Sequence, residues 1–261
     1  MLSTLRNPSF RHLFAAQIVA LVGTGLATVA LGLLAWQLAG DNAGAVLGTA
    51  LAIKMVAYVT LAPLAAAIAE RLPRRAFLVA LDLIRAGVIA FLPFVDQVWQ
   101  VYVLIFFLQA ASAGFTPAFQ AVIPDVLKDE DDYTHALSLL RLAEDLEQLA
   151  SPMLAAALLT VVSFPVLFLG TVAGFIASAL LVVTARLPAR AKAEPDHFWA
   201  DVTKGIRIYI RTPRLRGLMV MEAAVAAAGA MVYVNTVVLV QARLGLGEEA
   251  VALAFAGFGA G

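Results

Sequence analysis

Long apolar stretches alternate with short polar links along most of this chain of 261 residues. Seven largely apolar runs stand out, at 13–38, 45–69, 77–94, 98–122, 139–162, 165–184 and 215–240. Each comes close to the roughly 20 residues that an α-helix needs to cross a hydrocarbon core ~30 Å thick. The pattern therefore predicts seven spanning helices and no sheet. An eighth run begins near Ala250 and continues to Gly261 without a polar flank. A helix that stopped there would leave carbonyls unsatisfied in lipid, so the expectation is a piece of a longer protein.

Composition points the same way. Hydrophobic residues make up 62% of the chain and charged residues 14%, more apolar than a soluble domain of this length. Lipid is therefore the expected partner of most of the surface. Net charge is zero, which gives nucleic acid no electrostatic purchase. With no cysteine, disulfides, thiolate metal sites and a cysteine nucleophile are excluded. His12, His135 and His197 all fall outside the apolar runs and without a second ligand at metal spacing.

The distribution of charge sets an orientation. Arg6, Arg11, Arg71, Arg74, Arg75, Lys128 and the cations between Arg186 and Arg216 lie in the amino-terminal tail and the even-numbered links. The odd-numbered links hold Arg243 as their one cation, beside Asp41, Asp96, Glu248 and Glu249. The positive-inside bias then predicts a multi-pass protein of the inner (cytoplasmic) membrane with its amino terminus in the cytoplasm. The first run is too long for a signal peptide and lacks a cleavage site.

The sixth link is the long one. It suggests six spans over 1–185, a cytoplasmic linker over 186–214, and the start of a second membrane half over 215–261. Within the linker, Val202, Ile206, Tyr209 and Ile210 recur at helical spacing opposite Lys204, Arg207 and Arg211. That is an amphipathic basic helix suited to a headgroup interface.

The second link is compact: Glu70, Arg71, Leu72, Pro73, Arg74 and Arg75 follow the apolar Ala66–Ala69 segment directly. Turning a chain between two helices does not require four charges. This connector resembles the Gly-x-x-x-Asp-Arg-x-Gly-Arg-Arg pattern of the major facilitator superfamily of secondary transporters. Ala66 stands for the first glycine, Glu70 for the acid, Arg71 for the first arginine, Pro73 for the second glycine, and Arg74 and Arg75 for the closing pair. The resemblance implies a cytoplasmic gate formed by these residues, joined by Asp125 at the end of the fourth span. Gln109, Gly114, Pro117 and Pro124 are similar to the equivalent stretch of drug and siderophore exporters, and the Lys204–Arg216 segment is similar to the enterobactin-exporter-like branch. In the fifth span Pro152 occupies the proline of an antiporter packing element. Glu147, Ser151, Ala155 and Ala156 replace its glycines, and Phe106 stands where many proton antiporters have an arginine.

Ionisable groups within spans cost at least ~2.5–3.5 kcal/mol at the centre on insertion scales, so each is a functional candidate. Lys54 lies about nine residues, ~13 Å, into the second run. It could meet an anionic substrate, respond to a proton, pair with a carboxylate, or snorkel. In the fifth run Arg141 is spaced to pair with Glu144 and Asp145; Glu147, the deepest of these acids, is the coupling carboxylate expected to exchange a proton, the alternative being that the span begins later and all four charges are cytoplasmic. Glu222 lies ~10 Å into the seventh run and, with Asn235, is a further candidate for substrate or proton coupling. Thr24, Thr28, Gln17 and Gln37 either face a substrate or bond between helices. Asp82 and Arg85 read as a structural pair near the cytoplasmic surface.

Taken together, these features predict an all-α membrane carrier of the major facilitator type, without cofactor, metal site or enzymatic activity. Alternating access would couple protons to efflux of a small hydrophobic or amphipathic compound, such as a drug or siderophore. Divalent metal (nickel or cobalt) efflux and a non-transporting membrane scaffold are the alternatives. The cysteine-free chain suits topology mapping. In right-side-out vesicles a membrane-impermeant maleimide is expected to label an Asp96→Cys variant and to spare Arg190→Cys; the reverse pattern would invert the orientation.

Overall fold

The computed structural model describes residues 4–69, 71–187, 203, 207, 208, 210–237 and 244. The chain divides into two units, Met1–Val202 and Thr203–Gly261. Among the described residues the first holds six α-helices: α1 (Pro8–Ala39), α2 (Ala43–Ala69), α3 (Arg74–Phe91), α4 (Val98–Val126), α5 (Glu130–Leu159) and α6 (Phe164–Thr184). The second contributes α7 (Pro213–Val237). No strand occurs among the described residues.

Local chemistry explains where the helices begin and end. Asn7 caps α1, its Oδ1 accepting from the amides of Ser9 (3.0 Å) and Phe10 (3.2 Å), with Pro8 in the first turn; proline costs least there because that amide has no helical partner. Gly40, at φ +51°, closes α1 and returns its amide to the Trp36 carbonyl, a conformation that a Cβ would disfavour. Asp129 caps α5 by accepting from the amides of Asp131 and Asp132. Glu130, Asp131 and Asp132 fill that first turn, where negative charge complements the helix dipole. This cap starts α5 nine residues before the apolar run that was expected to form it, because hydropathy is blind to an acidic helix start.

Five helices are long and apolar enough to cross a bilayer among the described residues: α1, α2, α3 with its 3-10 extension, α4 and α6. In α5 the acids Glu144, Asp145 and Glu147 interrupt any such window. Large apolar side chains are exposed on the outer surfaces of these helices, among them Val59, Leu83, Leu180 and Met153. Exposed Trp36 and Trp99 mark one end of the bundle, at the close of α1 and the start of α4, the level at which indoles favour a lipid–water boundary.

Among the described residues, two large apolar clusters and a small one around Ala35 and Val46 form the interior. Phe10, Leu13, Phe77, Leu78, Phe119 and Val122 pack at one end; Leu26, Ala30, Ile89, Ile105, Leu167 and Phe168 pack at the other. The broadest helix pairing is α1 with α6, followed by α2 with α4, α3 with α6 and α3 with α4, while α5 packs chiefly on α1. Glycines permit the first of these. A Cβ on Gly174 would lie 3.1 Å from the Val19 carbonyl oxygen and 3.4 Å from the Gly23 Cα. At the same crossing the buried Thr171 hydroxyl donates to the Gly23 carbonyl at 2.7 Å. Small residues drawing helix backbones together are the usual adhesive where lipid offers no hydrophobic drive.

The amino-terminal segment is stitched across the same end. Thr4 is buried and its hydroxyl donates to Asp132 at 3.3 Å. Asn7 Nδ2 donates to the Val126 carbonyl, and the Ser9 hydroxyl to the Arg186 carbonyl.

A valine at Gly174 should force α1 from α6. Overpacking of this kind costs about 1–3 kcal/mol, so Gly174→Val is expected to lower the melting midpoint of detergent-solubilised protein by roughly 5 °C. Gly32→Ala, which meets no atom within 4 Å, should leave it unchanged.

Candidate functional site

The compact link between α2 and α3 fixes one end of the bundle. Arg74, the first residue of α3, pairs with the Asp125 carboxylate at the end of α4, and its Nη1 also donates to the Ala121 carbonyl at 2.7 Å. Arg75 Nη2 donates to the Ala185 carbonyl, just past the end of α6, at 2.7 Å. The closing arginine pair thus ties the start of α3 to the carboxy-terminal turns of two neighbours. Arg71 is exposed at this link; Glu70 lies outside the described residues. A small hollow of about 120 Å³ sits beneath, between Ala66, Arg74, Pro117 and Ala121.

A larger cavity of about 300 Å³ opens in the middle of the first unit. Lys54 and Tyr58 of α2, Arg85 of α3, Gln109 of α4, and Glu144 and Glu147 of α5 reach it, with Gln17, Thr24 and Thr28 of α1. Three of the residues that the sequence nominates, Lys54, Glu144 and Glu147, are therefore brought to one space. Glu222 is exposed on α7 in the other unit. Asn235 also belongs to α7, but its side chain lies outside the described residues, as does that of Pro152 in α5.

Each polar group has a distinct setting. Glu147 lies against the backbone of Gly25 on α1, where any Cβ would collide with Glu147 and Ser151. Glycine at this position is what lets the α5 carboxylate approach α1. Ser151, one turn further along, is buried and its hydroxyl has no hydrogen-bond partner; the Gln17 Oε1 is buried and unpartnered as well. Glu144 receives a hydrogen bond from Arg141 Nη1 at 3.3 Å, and Arg141 Nε lies 3.5 Å from Asp145, the pairing expected from their spacing. Arg141 is largely exposed, so this pair holds Glu144 from outside the cavity. Thr24 and Thr28 donate back to the carbonyls of Ala20 (2.9 Å) and Thr24 (3.0 Å). Their protons are used within α1 rather than between helices, and toward the cavity they can only accept.

The main departure from expectation is Asp82 with Arg85. These residues sit half way along α3, not near its start, and both are buried. The two carry a direct ion pair, and the Ser178 hydroxyl of α6 donates to Asp82 Oδ2 at 2.8 Å. The Arg85 guanidinium lies 4.0 Å from the Phe115 ring centroid and 4.5 Å from that of Phe175. Arg85 Nε is buried and unpartnered, and the side chain forms part of the cavity wall. The sequence held the necessary signal. Eight residues at 1.5 Å each put Asp82 ~12 Å beyond Arg74, as deep as Lys54.

No group of three or more potential metal ligands occurs among the described residues. The Major Facilitator Superfamily profile matches residues 13–261. A search of curated proteins returned no match.

Removing one partner of a buried ion pair costs about 3–5 kcal/mol because the other charge is left unpaired. Asp82→Ala should therefore abolish a monodisperse size-exclusion peak, and the double variant Asp82→Leu/Arg85→Leu should restore most of it. Equal loss in both variants would show that the pair is not the source of the defect.

Proposed function

We propose that this chain, which belongs to the major facilitator superfamily and is therefore a multi-pass membrane transporter, couples proton movement to efflux of a small amphipathic compound. The observation that carries this reading is the convergence of Lys54, Glu144 and Glu147 on one cavity within an otherwise apolar bundle. Such groups are expensive inside a membrane and persist where they handle ions or substrate. Glu147 is the proton-exchanging carboxylate: it faces the cavity, rests over Gly25, and has no ion-pair partner among the described residues. Lys54 tunes the charge state of that carboxylate or meets the substrate.

Transport follows alternating access, in which two halves rock about a central site. Residues 1–185 form the amino half, 186–214 the cytoplasmic linker, and 215–261 the beginning of the second half, which carries Glu222 and Asn235 as further coupling residues. The link from Glu70 to Arg75, with Asp125, is the gate on the cytoplasmic side of the inner membrane. Its Arg74–Asp125 pair supports this assignment. The similarity to drug and siderophore exporters around Gln109, Pro117 and Pro124 favours outward transport.

In inverted vesicles holding a pH gradient, adding a transported amphiphile should release protons and relax the gradient. Glu147→Gln is expected to abolish that response by at least about 100-fold while retaining gradient-free exchange of the same compound. Undiminished pH-driven flux in Glu147→Gln would remove this carboxylate from the coupling step.

A further inference from the structure

The charges around the cavity are sorted by sign. Lys54 and Arg85 come from α2 and α3, whereas Glu144 and Glu147 come from α5. These helices are not close neighbours: α2 packs on α4, α3 packs on α4 and α6, and α5 packs chiefly on α1. No ion pair among the described residues joins the cations to the α5 carboxylates. Arg85 is bound to Asp82, and Glu144 to Arg141. The cavity thus has a cationic side and an anionic side that do not neutralise each other directly.

Both sides keep capacity for a ligand. Arg85 uses Nη2 on Asp82, while its Nε is buried without a partner. The rings of Phe115 and Phe175 lie against the guanidinium, an arrangement that holds the plane and leaves in-plane N–H groups suited to a carboxylate. Lys54 adds a second, half-buried cation. On the other side Glu147 is seated over Gly25, beside the unpartnered hydroxyl of Ser151. The rest of the lining is mixed: Ala20, Leu31, Ile89 and Leu108 supply apolar surface, and Thr24, Gln109 and Ser112 supply neutral polar groups. A volume of about 300 Å³ is at the small end of the range for small-molecule pockets.

The geometry points to a zwitterionic amphiphile as the ligand class: an ammonium and a carboxylate separated along an apolar frame, the carboxylate toward Lys54 and Arg85 and the ammonium toward Glu147 and Glu144. This inference rests on the reading of the cavity as the substrate site. A ligand of a single charge would leave the charges of one side desolvated and unmatched, and discrimination arises from that mismatch.

Three matched fluorescent probes test this by equilibrium binding to the full chain in nanodiscs at neutral pH. Nα-dansyl-lysine carries an ε-ammonium and a carboxylate, its methyl ester only the ammonium, and its Nε-acetyl derivative only the carboxylate. The zwitterion is expected to bind at least about 10-fold more tightly than either relative. Lys54→Gln should shrink the advantage over the ester below about 3-fold and keep that over the acetyl derivative; Glu147→Gln should do the opposite. Asp82→Asn/Arg85→Gln, which keeps the core neutral, should act like Lys54→Gln. Three probes within about 2-fold of one another, tighter binding of a singly charged probe, or no zwitterion binding up to about 1 mM would overturn the inference. So would variants that elute as folded protein and weaken all three probes equally. Binding at equilibrium needs no gradient. Loss of proton-driven flux with the charge preference intact would fault the coupling reading alone, and driven flux with equal probe binding would fault this inference alone.

Discussion

The structure depends on keeping one ion pair out of contact with lipid. Asp82 and Arg85 meet on a single helix, but the surroundings that make them tolerable come from two others: Ser178 and Phe175 on α6, and Phe115 on α4. A carboxylate and a guanidinium withdrawn from water each cost several kcal/mol, and the return depends on geometry and on hydrogen bonds to the remaining lone pairs. The pair therefore dictates how α3, α4 and α6 must face one another. Along α3 the residues before it, Phe77, Leu78 and Leu81, belong to one apolar cluster, and those after it, Ala86, Ile89 and Leu92, to the other. The charged layer divides the core while remaining its fixed point.

The bundle ends obey a related rule. Cations there are matched by neighbouring helices: at the α2–α3 link Arg74 and Arg75 donate to the Ala121 and Ala185 carbonyls. Asp125 then balances the first of these cations. Between the ends the helices come together through absence of side chain. Gly23 and Gly174 allow α1 to meet α6, and Gly25 allows Glu147 to rest on α1. Charge, backbone satisfaction and close approach thus all converge on α1 and α3, and the cavity lies where these two helices leave space between α2, α4 and α5.

Much of this was legible in the sequence, for reasons that are easy to state. Apolar runs report helices in lipid because the solvent selects them directly, and α1, α2, α4 and α6 follow their runs to within a few residues. Lys54, Glu144 and Glu147 stood out because a charge in such a run is costly, whether it serves a site or a structural pair. The start of α5 did not, because an acidic cap and first turn carry no hydropathy signal. Asp82 and Arg85 lie deeper than expected for a different reason: two opposite charges one turn apart look self-sufficient, which masks their depth. Nor could spacing reveal that Thr24 and Thr28 spend their protons inside α1, or that Gly25 is the seat of Glu147. Those are facts about neighbouring helices, and one strand of letters does not specify which faces meet.

The stitching of the amino-terminal segment bears on how the protein is made. Thr4 bonds to a residue 128 positions later, and Ser9 to one 177 positions later. Helix α1, made before the other five, finds its broadest contact on α6, the last of the six. At about 5–20 residues per second of synthesis, α1 waits on the order of ten seconds or more in the bilayer before the surface it was shaped for has been translated. Its Gly23 face is covered only when the sixth helix arrives, so a nascent chain stalled before residue 164 can pair α2 with α4 and α3 with α4 but leaves the surfaces of α1 and α3 that meet α6 without their partner.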